Sequence, residues 1–202
     1  EIIPATGDVT DEDLIARENV VVTITSTGYA KRTKVDSYKA QKRGGKGVRG
    51  AELKQDDIVK NFFVCSTHDW ILFFTNFGRV YRLKAYELPE AGRTARGQHV
   101  ANLLEFQPEE KIAQVIQIQS YEDAPYLVLA TQQGRVKKSR LTDYESARSA
   151  GLIAINLNEG DALIGALQQV PQNGDYLVGS DVARNRLHGV IYREGDGDQH
   201  CL

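Results

Sequence analysis

One eleven-residue pattern occurs three times in this chain, and it restricts the fold more than any other feature. The copies are Val22-Thr23-Ile24-Thr25-Ser26-Thr27-Gly28-Tyr29-Ala30-Lys31-Arg32, Leu72-Phe73-Phe74-Thr75-Asn76-Phe77-Gly78-Arg79-Val80-Tyr81-Arg82 and Val128-Leu129-Ala130-Thr131-Gln132-Gln133-Gly134-Arg135-Val136-Lys137-Lys138. Each is an apolar, β-prone run, a threonine, two residues, a glycine and a second run ending in a cation. That order describes a hairpin whose glycine supplies the positive φ of a tight turn. The register continues beyond the hairpin. Tyr38, Leu88 and Tyr144 stand ten residues after the three glycines, Gly47 and Gly97 stand nineteen after the first two, and the shorter third copy has Gly151. An acidic turn and an apolar run close each copy: Asp56-Asp57-Ile58-Val59, Glu109-Glu110-Lys111-Ile112, and Gly160-Asp161-Ala162-Leu163. A period of roughly fifty residues with several short strands per copy predicts an all-β, propeller-like fold. The expected blades cover about 20–69, 70–124 and 125–174. An ordinary β-sandwich is the alternative, and agreement at several offsets speaks against it. A fourth copy begins at Asp175-Tyr176-Leu177-Val178 but loses the pattern over Gly179–Asn185, so 180–202 reads as a divergent polar tail.

Net charge is only −2, which argues against a general polyanion binder, but the charge is segregated. Residues 1–19 carry six acidic side chains against Arg17, and residues 28–49 carry eight cations against Asp36. A concentrated patch of one sign governs association more than the chain total does. The acidic stretch reads as a linker from a preceding domain, consistent with a chain that has no methionine and so is expected to be a piece of a longer protein. No apolar run approaches the roughly 20 residues of a membrane span. Two cysteines, Cys65 and Cys201, fit a reducing cytoplasm better than a disulfide framework.

The cations of the hairpins follow a rule. Four residues after each glycine stands Arg32, Arg82 or Lys138, and six after stands Lys34, Lys84 or Arg140. Strand side chains alternate with period two, so the members of each pair point to one face. The position three after the glycine varies: Lys31, Tyr81, Lys137. A row of cation pairs spaced by blades suits a phosphate backbone, and such contacts position a duplex without reading its sequence. Solvated strand residues are the plainer alternative, which the recurrence at identical offsets disfavours. The loop Gln41-Lys42-Arg43-Gly44-Gly45-Lys46-Gly47 adds three cations to glycines that allow close backbone approach and an anion-binding turn. It is not a nucleotide P-loop, because Lys46 is followed by Gly47 rather than Ser or Thr.

That loop resembles the gyrase A box, with Lys42 where the usual form has arginine. The surrounding residues resemble the same family, the C-terminal domain of the DNA gyrase A subunit, with an actinobacterial flavour: Glu12-Asp13-Leu14-Ile15, Thr67-His68-Asp69, Gly78-Arg79-Val80-Tyr81, Leu88-Pro89-Glu90-Ala91, Arg96-Gly97 and Val136-Lys137-Lys138. The similarity runs from about residue 8 to about residue 167. It implies a β-pinwheel, a propeller-like ring with exchanged strands, here with three clear blades and a doubtful fourth where the family has six, so the chain is expected to be truncated. It also implies sequence-independent binding, bending and wrapping of double-stranded DNA for negative supercoiling. The expected partners are DNA and, through a core outside this chain, the gyrase B subunit together with a second A subunit. ATP and Mg would serve the holoenzyme and no cofactor this segment, and the setting would be the cytoplasmic nucleoid. The DNA-binding candidates are Gln41, Lys42, Arg43, Gly44, Gly45, Lys46, Gly47, Lys31, Arg32, Lys34, Arg82, Lys84, Arg93, Arg96, Lys137, Lys138, Arg140 and Arg148. No catalytic residue is expected, since the ATPase site belongs to the B subunit, whereas the cleaving tyrosine belongs to the N-terminal region of the A subunit.

Two other readings are a topoisomerase IV-type domain and a propeller-like module whose basic rim takes acidic proteins. Cys65 with His68, or His200 with Cys201, is too sparse for a zinc site. Cys65 is expected to be a small buried residue, His99 a surface residue, and Trp70 part of the packing rather than a base-stacking platform.

Overall fold

The computed structural model describes residues 11–38, 57–147 and 150–169. Eleven strands and five short 3-10 turns make up the described secondary structure, with no α-helix. The loop 41–47, Arg148, the fourth-copy start near 175 and the tail 180–202 lie outside the described residues. The chain divides into two compact units: residues 1–69 with 84–99, and residues 70–83 with 100–202.

The first unit holds one four-stranded sheet. Strands β1 (Asn19–Thr25) and β2 (Tyr29–Lys34) form the first hairpin, and β3 (Val59–Ser66) pairs antiparallel with the other side of β1. After β4 (Trp70–Thr75) and β5 (Arg79–Lys84), the chain returns to lay β6 (Gln98–His99) antiparallel against the free edge of β2, giving the order β3-β1-β2-β6. The sheet is thus completed by residues that follow the next hairpin in sequence, an exchanged strand.

The second unit repeats the scheme. Strand β7 (Ile112–Ile118) pairs with β4, and β10 (Leu152–Ile153) comes back to the edge of β5, giving β10-β5-β4-β7. Its second sheet has the order β11-β8-β9, from β8 (Tyr126–Thr131), β9 (Val136–Arg140) and β11 (Leu163–Gln169). Leu72, Phe74, Ile116 and Ile118 of one sheet share a buried core with Leu127, Leu129, Leu163 and Ala166 of the other. The pairings β1–β2, β1–β3, β2–β6, β4–β7, β5–β10, β8–β9 and β8–β11 are antiparallel, with one isolated parallel bridge at Arg32–Glu90.

The turn chemistry read from the repeat holds. Gly28, Gly78 and Gly134 have φ of +89°, +70° and +84°. The role of the acidic turn is a finding that the repeat did not announce: each copy sends an acid back to its own hairpin. Asp57 accepts from Ser26 Oγ (3.0 Å), Thr27 N (3.1 Å) and Thr27 Oγ1 (2.7 Å). Asp161 accepts from Gln133 N at 2.9 Å. Burial alone would raise both carboxyl pKa values, but hydrogen bonds from the hairpin hold them below the ordinary range; Thr27, Thr25 and Ser26 act on Asp57, and Thr131 and Gln133 act on Asp161. Glu110 is buried, as Asp57 is. Its Oε1 accepts from Thr75 Oγ1 at 2.5 Å, and its Oε2 accepts from Tyr81 Oη at 2.8 Å and Gln107 N at 2.7 Å. Burial, then the Glu110 carboxylate, pushes the Tyr81 phenol up to about 12.

Gly97 sits at the entry to β6 with φ +87°, and a Cβ there would lie 2.4 Å from the Ala30 carbonyl oxygen. Gly97→Ala is therefore expected to lower stability by about 2–3 kcal/mol, from left-handed strain and displaced backbone together. Urea unfolding followed by far-UV dichroism checks this; an unchanged midpoint would show that β6 tolerates a shift.

Candidate nucleic-acid interface

The strand alternation places the paired cations as expected. Thr33, Leu83 and Ser139, which lie between the members of each pair, are buried, while Lys34, Lys138 and Arg140 are exposed and Arg32, Arg82 and Lys84 are half-buried. Each pair occupies the face of its strand opposite the buried alternation.

The three pairs are held differently. In β5, the Arg82 guanidinium lies 4.2 Å from the Trp70 ring centroid and 5.8 Å from that of Tyr121, and Nη1 donates to Tyr121 Oη at 3.1 Å. In β9, Lys138 Nζ lies 4.1 Å from the Tyr126 ring centroid. Trp70 and Tyr126 both stand eight residues before their hairpin glycine, and Tyr126, paired with Arg140, reaches Lys138 diagonally across the strand pair. Each ring restricts a long side chain without neutralising it, which lowers the entropy lost on meeting a phosphate. Trp70 packs on the core as expected and also supports Arg82, a second role that its place at the head of an apolar strand does not announce.

In β2, where residue 20 is a valine, Arg32 is tied instead to the returning segment. Nε donates to the Leu88 carbonyl at 2.9 Å and Nη1 pairs with Glu90 at 3.1 Å. Lys34 pairs with Glu18 at 3.5 Å, and Lys84 pairs with Glu12 at 2.9 Å while also donating to the His68 carbonyl at 3.0 Å. The acidic segment is accordingly anchored on the sheet. Thr67 Oγ1 donates to the Ala16 carbonyl at 2.8 Å, and Thr67 N donates to the Glu18 carbonyl at 2.9 Å. Among the described residues Arg140 is an exposed pair cation with no acidic partner.

Lys31 requires a correction: it is not an exposed phosphate contact. It is 0% exposed, its ammonium donates to three backbone carbonyls, and burial lowers its pKa. Lys137, at the same offset, is exposed and donates to the Ala154 carbonyl at 2.7 Å. The difference arises because residues 92–95 cover β2 at Lys31. Arg93 and Arg96 are half-buried, with the Arg96 guanidinium 3.4 Å from the Tyr29 ring centroid. His99 is half-buried, packs edge-on against Tyr29 and bonds to the Thr27 carbonyl at 2.9 Å. Burial, reinforced by Asp69, pushes the Cys65 thiol up to about 12. No group of three or more metal-ligating side chains occurs among the described residues. No helix among them is long and apolar enough to cross a membrane.

A family model described as the DNA gyrase C-terminal domain, beta-propeller, matches residues 19–66, 69–119 and 125–169. The chain is 78% identical over 166 residues to a DNA gyrase A subunit of Mycolicibacterium smegmatis, covering 82% of this chain and 20% of the relative. It is 62% identical over 218 residues to the DNA gyrase A subunit of Streptomyces coelicolor, covering 97% of this chain and 25% of the relative. Among solved structures it is similar to the C-terminal domain of DNA topoisomerase IV, with TM-score 0.69 and 33% identity over 81% of this chain and 50% of that one. It is also similar to a DNA gyrase A C-terminal domain, with TM-score 0.57 and 31% identity over 74% of this chain and 47% of that one. The chain thus spans about a fifth to a quarter of the length of these curated relatives.

Proposed function

Because the chain belongs to the family of DNA gyrase C-terminal β-propeller domains, we propose that it binds, bends and wraps double-stranded DNA without reading sequence, as the wrapping part of a gyrase that introduces negative supercoils. The observation that carries this reading is the recurrence of cation pairs on one strand face, with Arg82 and Lys138 each braced by an aromatic ring. Phosphates supply the affinity, and release of their counterions makes binding salt-dependent. Lys34, Arg82, Lys84, Lys138 and Arg140 are the proposed strand contacts, with Arg32 held beside them by Glu90. The loop 41–47 and Arg148 remain in the proposal on their sequence alone.

The proposed partners are the duplex itself and a gyrase B subunit together with a second A subunit, in the bacterial cytoplasm at the nucleoid. ATP and Mg would be used by other parts of that assembly, as would strand cleavage. A topoisomerase IV-type role is the second reading, favoured by the higher TM-score of that neighbour. The high identity to gyrase chains and the box-like loop 41–47 weigh more heavily against it.

The test is a gel-shift titration of this chain with linear duplex DNA of roughly 150 bp, about one persistence length, at rising salt. If each proposed pair engages phosphates, affinity falls at least about a hundredfold between roughly 50 and 300 mM salt, on the order expected for several released counterions. Equal binding at both salts would leave a protein-interaction module as the better reading.

A further inference from the structure

The segment between β5 and β6 folds around one buried side chain. It first runs parallel to β2, where Arg32 N donates to the Pro89 carbonyl and Ala91 N to the Arg32 carbonyl, both at 3.0 Å. Residues 92–97 then turn over Lys31. Lys31 Nζ donates to the carbonyls of Gly92 (3.1 Å), Arg93 (2.5 Å) and Ala95 (2.7 Å). An ammonium has three hydrogens to donate, and this site presents three carbonyls to them.

A trans peptide plane holds its C=O and its N–H in opposite directions. Carbonyls 92, 93 and 95 point in at the ammonium, so the N–H groups of Arg93, Thr94 and Arg96 point away from it. None of these three N–H groups has a hydrogen-bond partner among the described residues. The Nε atoms of Arg93 and Arg96 also lack partners although shielded from solvent. The Arg96 guanidinium is fixed over Tyr29. Three outward amides beside two cationic side chains have the composition of an anion-binding nest.

We propose that residues 92–97 form a phosphate-binding nest and that Lys31 is its positioning residue. The buried ammonium turns the loop so that its amides, with Arg93 and Arg96, meet one backbone phosphate of the duplex. Lys31 itself touches no phosphate. The inference rests on the DNA-binding reading above and adds a built site to it. In sequence, Arg93, Arg96 and Gly97 stand 15, 18 and 19 residues after Gly78, and Arg43, Lys46 and Gly47, which lie outside the described residues, stand at the same distances after Gly28.

The test follows the backbone amide resonances of the whole 202-residue chain during titration with a short duplex and, separately, with inorganic phosphate. The nest predicts saturating shifts of the Arg93, Thr94 and Arg96 amides with duplex, at concentrations at least tenfold below those at which inorganic phosphate produces them. Lys31→Met removes the ammonium while keeping an unbranched side chain; it should abolish these shifts and weaken duplex binding several-fold. Arg93→Gln with Arg96→Gln should weaken binding similarly, and adding Lys31→Met to that pair should then change nothing further, since the two act through one site. Steep, salt-dependent duplex binding without movement of the three amides would overturn the nest and leave the proposed function standing. Response to inorganic phosphate at the same concentrations would reassign the site to free phosphate. Absence of any duplex binding would remove the proposed function and the nest with it. The wild-type amide measurement decides the matter even if Lys31→Met fails to fold.

Discussion

Glu110→Ala is expected to cost about 4 kcal/mol of stability, more than any other single substitution proposed for this chain, because the carboxylate is buried and three donors converge on it: the Thr75 hydroxyl, the Tyr81 phenol and the Gln107 amide. Removing it leaves the Gln107 amide without its acceptor and the Thr75 and Tyr81 hydroxyls with only long contacts to the Arg79 (3.5 Å) and Glu105 (3.4 Å) carbonyls, and hydrogen bonds to a charged group are worth about 1.5–3 kcal/mol each. The cut falls on the hairpin β4–β5, whose Tyr81 ring also packs against Phe106 and lies under Gly151 at the entry to β10. The loss should therefore appear as lower unfolding cooperativity in the second unit as well as a lower midpoint. Glu110→Gln keeps one acceptor oxygen and should lie between the two. Chemical denaturation followed by the fluorescence of Trp70, in the same unit, reads the effect directly; an alanine variant within about 1 kcal/mol of wild type would mean that the three donors find other acceptors.

On the functional side, the largest expected effects come from charge, and they have opposite signs. Lys138→Ala with Arg140→Ala should weaken duplex binding at about 50 mM salt by about tenfold or more and reduce the slope of log affinity against log salt by nearly two, since each phosphate contact contributes about 0.9. These side chains are exposed and have no acidic partner among the described residues, so no ion pair of the fold is lost with them. Glu12→Gln with Glu18→Gln should do the reverse. Those carboxylates sit 2.9 Å from Lys84 and 3.5 Å from Lys34, so on the proposed DNA-binding reading they compete with phosphates for both lysines. Releasing both lysines should raise affinity several-fold and steepen the salt dependence. The Lys34 pair is largely exposed and contributes little stability of its own, so the gain is not cancelled by unfolding. If neutralising both acids weakened binding, the acidic segment would be a support for the interface rather than a competitor for it.

The parts of this architecture that were legible in the sequence are those set by neighbours along the chain. Gly28, Gly78 and Gly134 announce hairpins because a tight turn needs positive φ locally, and alternation over three residues suffices to put Arg82 and Lys84 on one face. What escaped reading depends on segments far away in sequence. Lys31 and Lys137 occupy the same offset, yet one is buried and the other exposed, because residues 92–95 lie over the first. The acidic turns were recognised as part of the repeat, but nothing local says that Glu110 closes on Thr75, thirty-five residues earlier. The rings beneath Arg82 and Lys138 could have been found: an aromatic stands eight residues before the glycine in both of those copies and a valine in the first. The loop 41–47, which carries the strongest resemblance, falls outside the described residues.

The exchanged strands also set an order of events during synthesis. The edge of β2 is covered by Pro89–Ala91 and by Gln98 and His99, and the edge of β5 by Leu152 and Ile153, all of them residues that come later in the chain than the hairpin they complete. A nascent chain that has emerged as far as its first hairpin therefore exposes an unfinished rim until the following hairpin has also left the ribosome. Both of these blades wait for the next hairpin, and the hydrogen bonds that close them become available with a lag of one repeat. In that interval the unpaired edge of the first hairpin is open to pairing with a neighbouring chain.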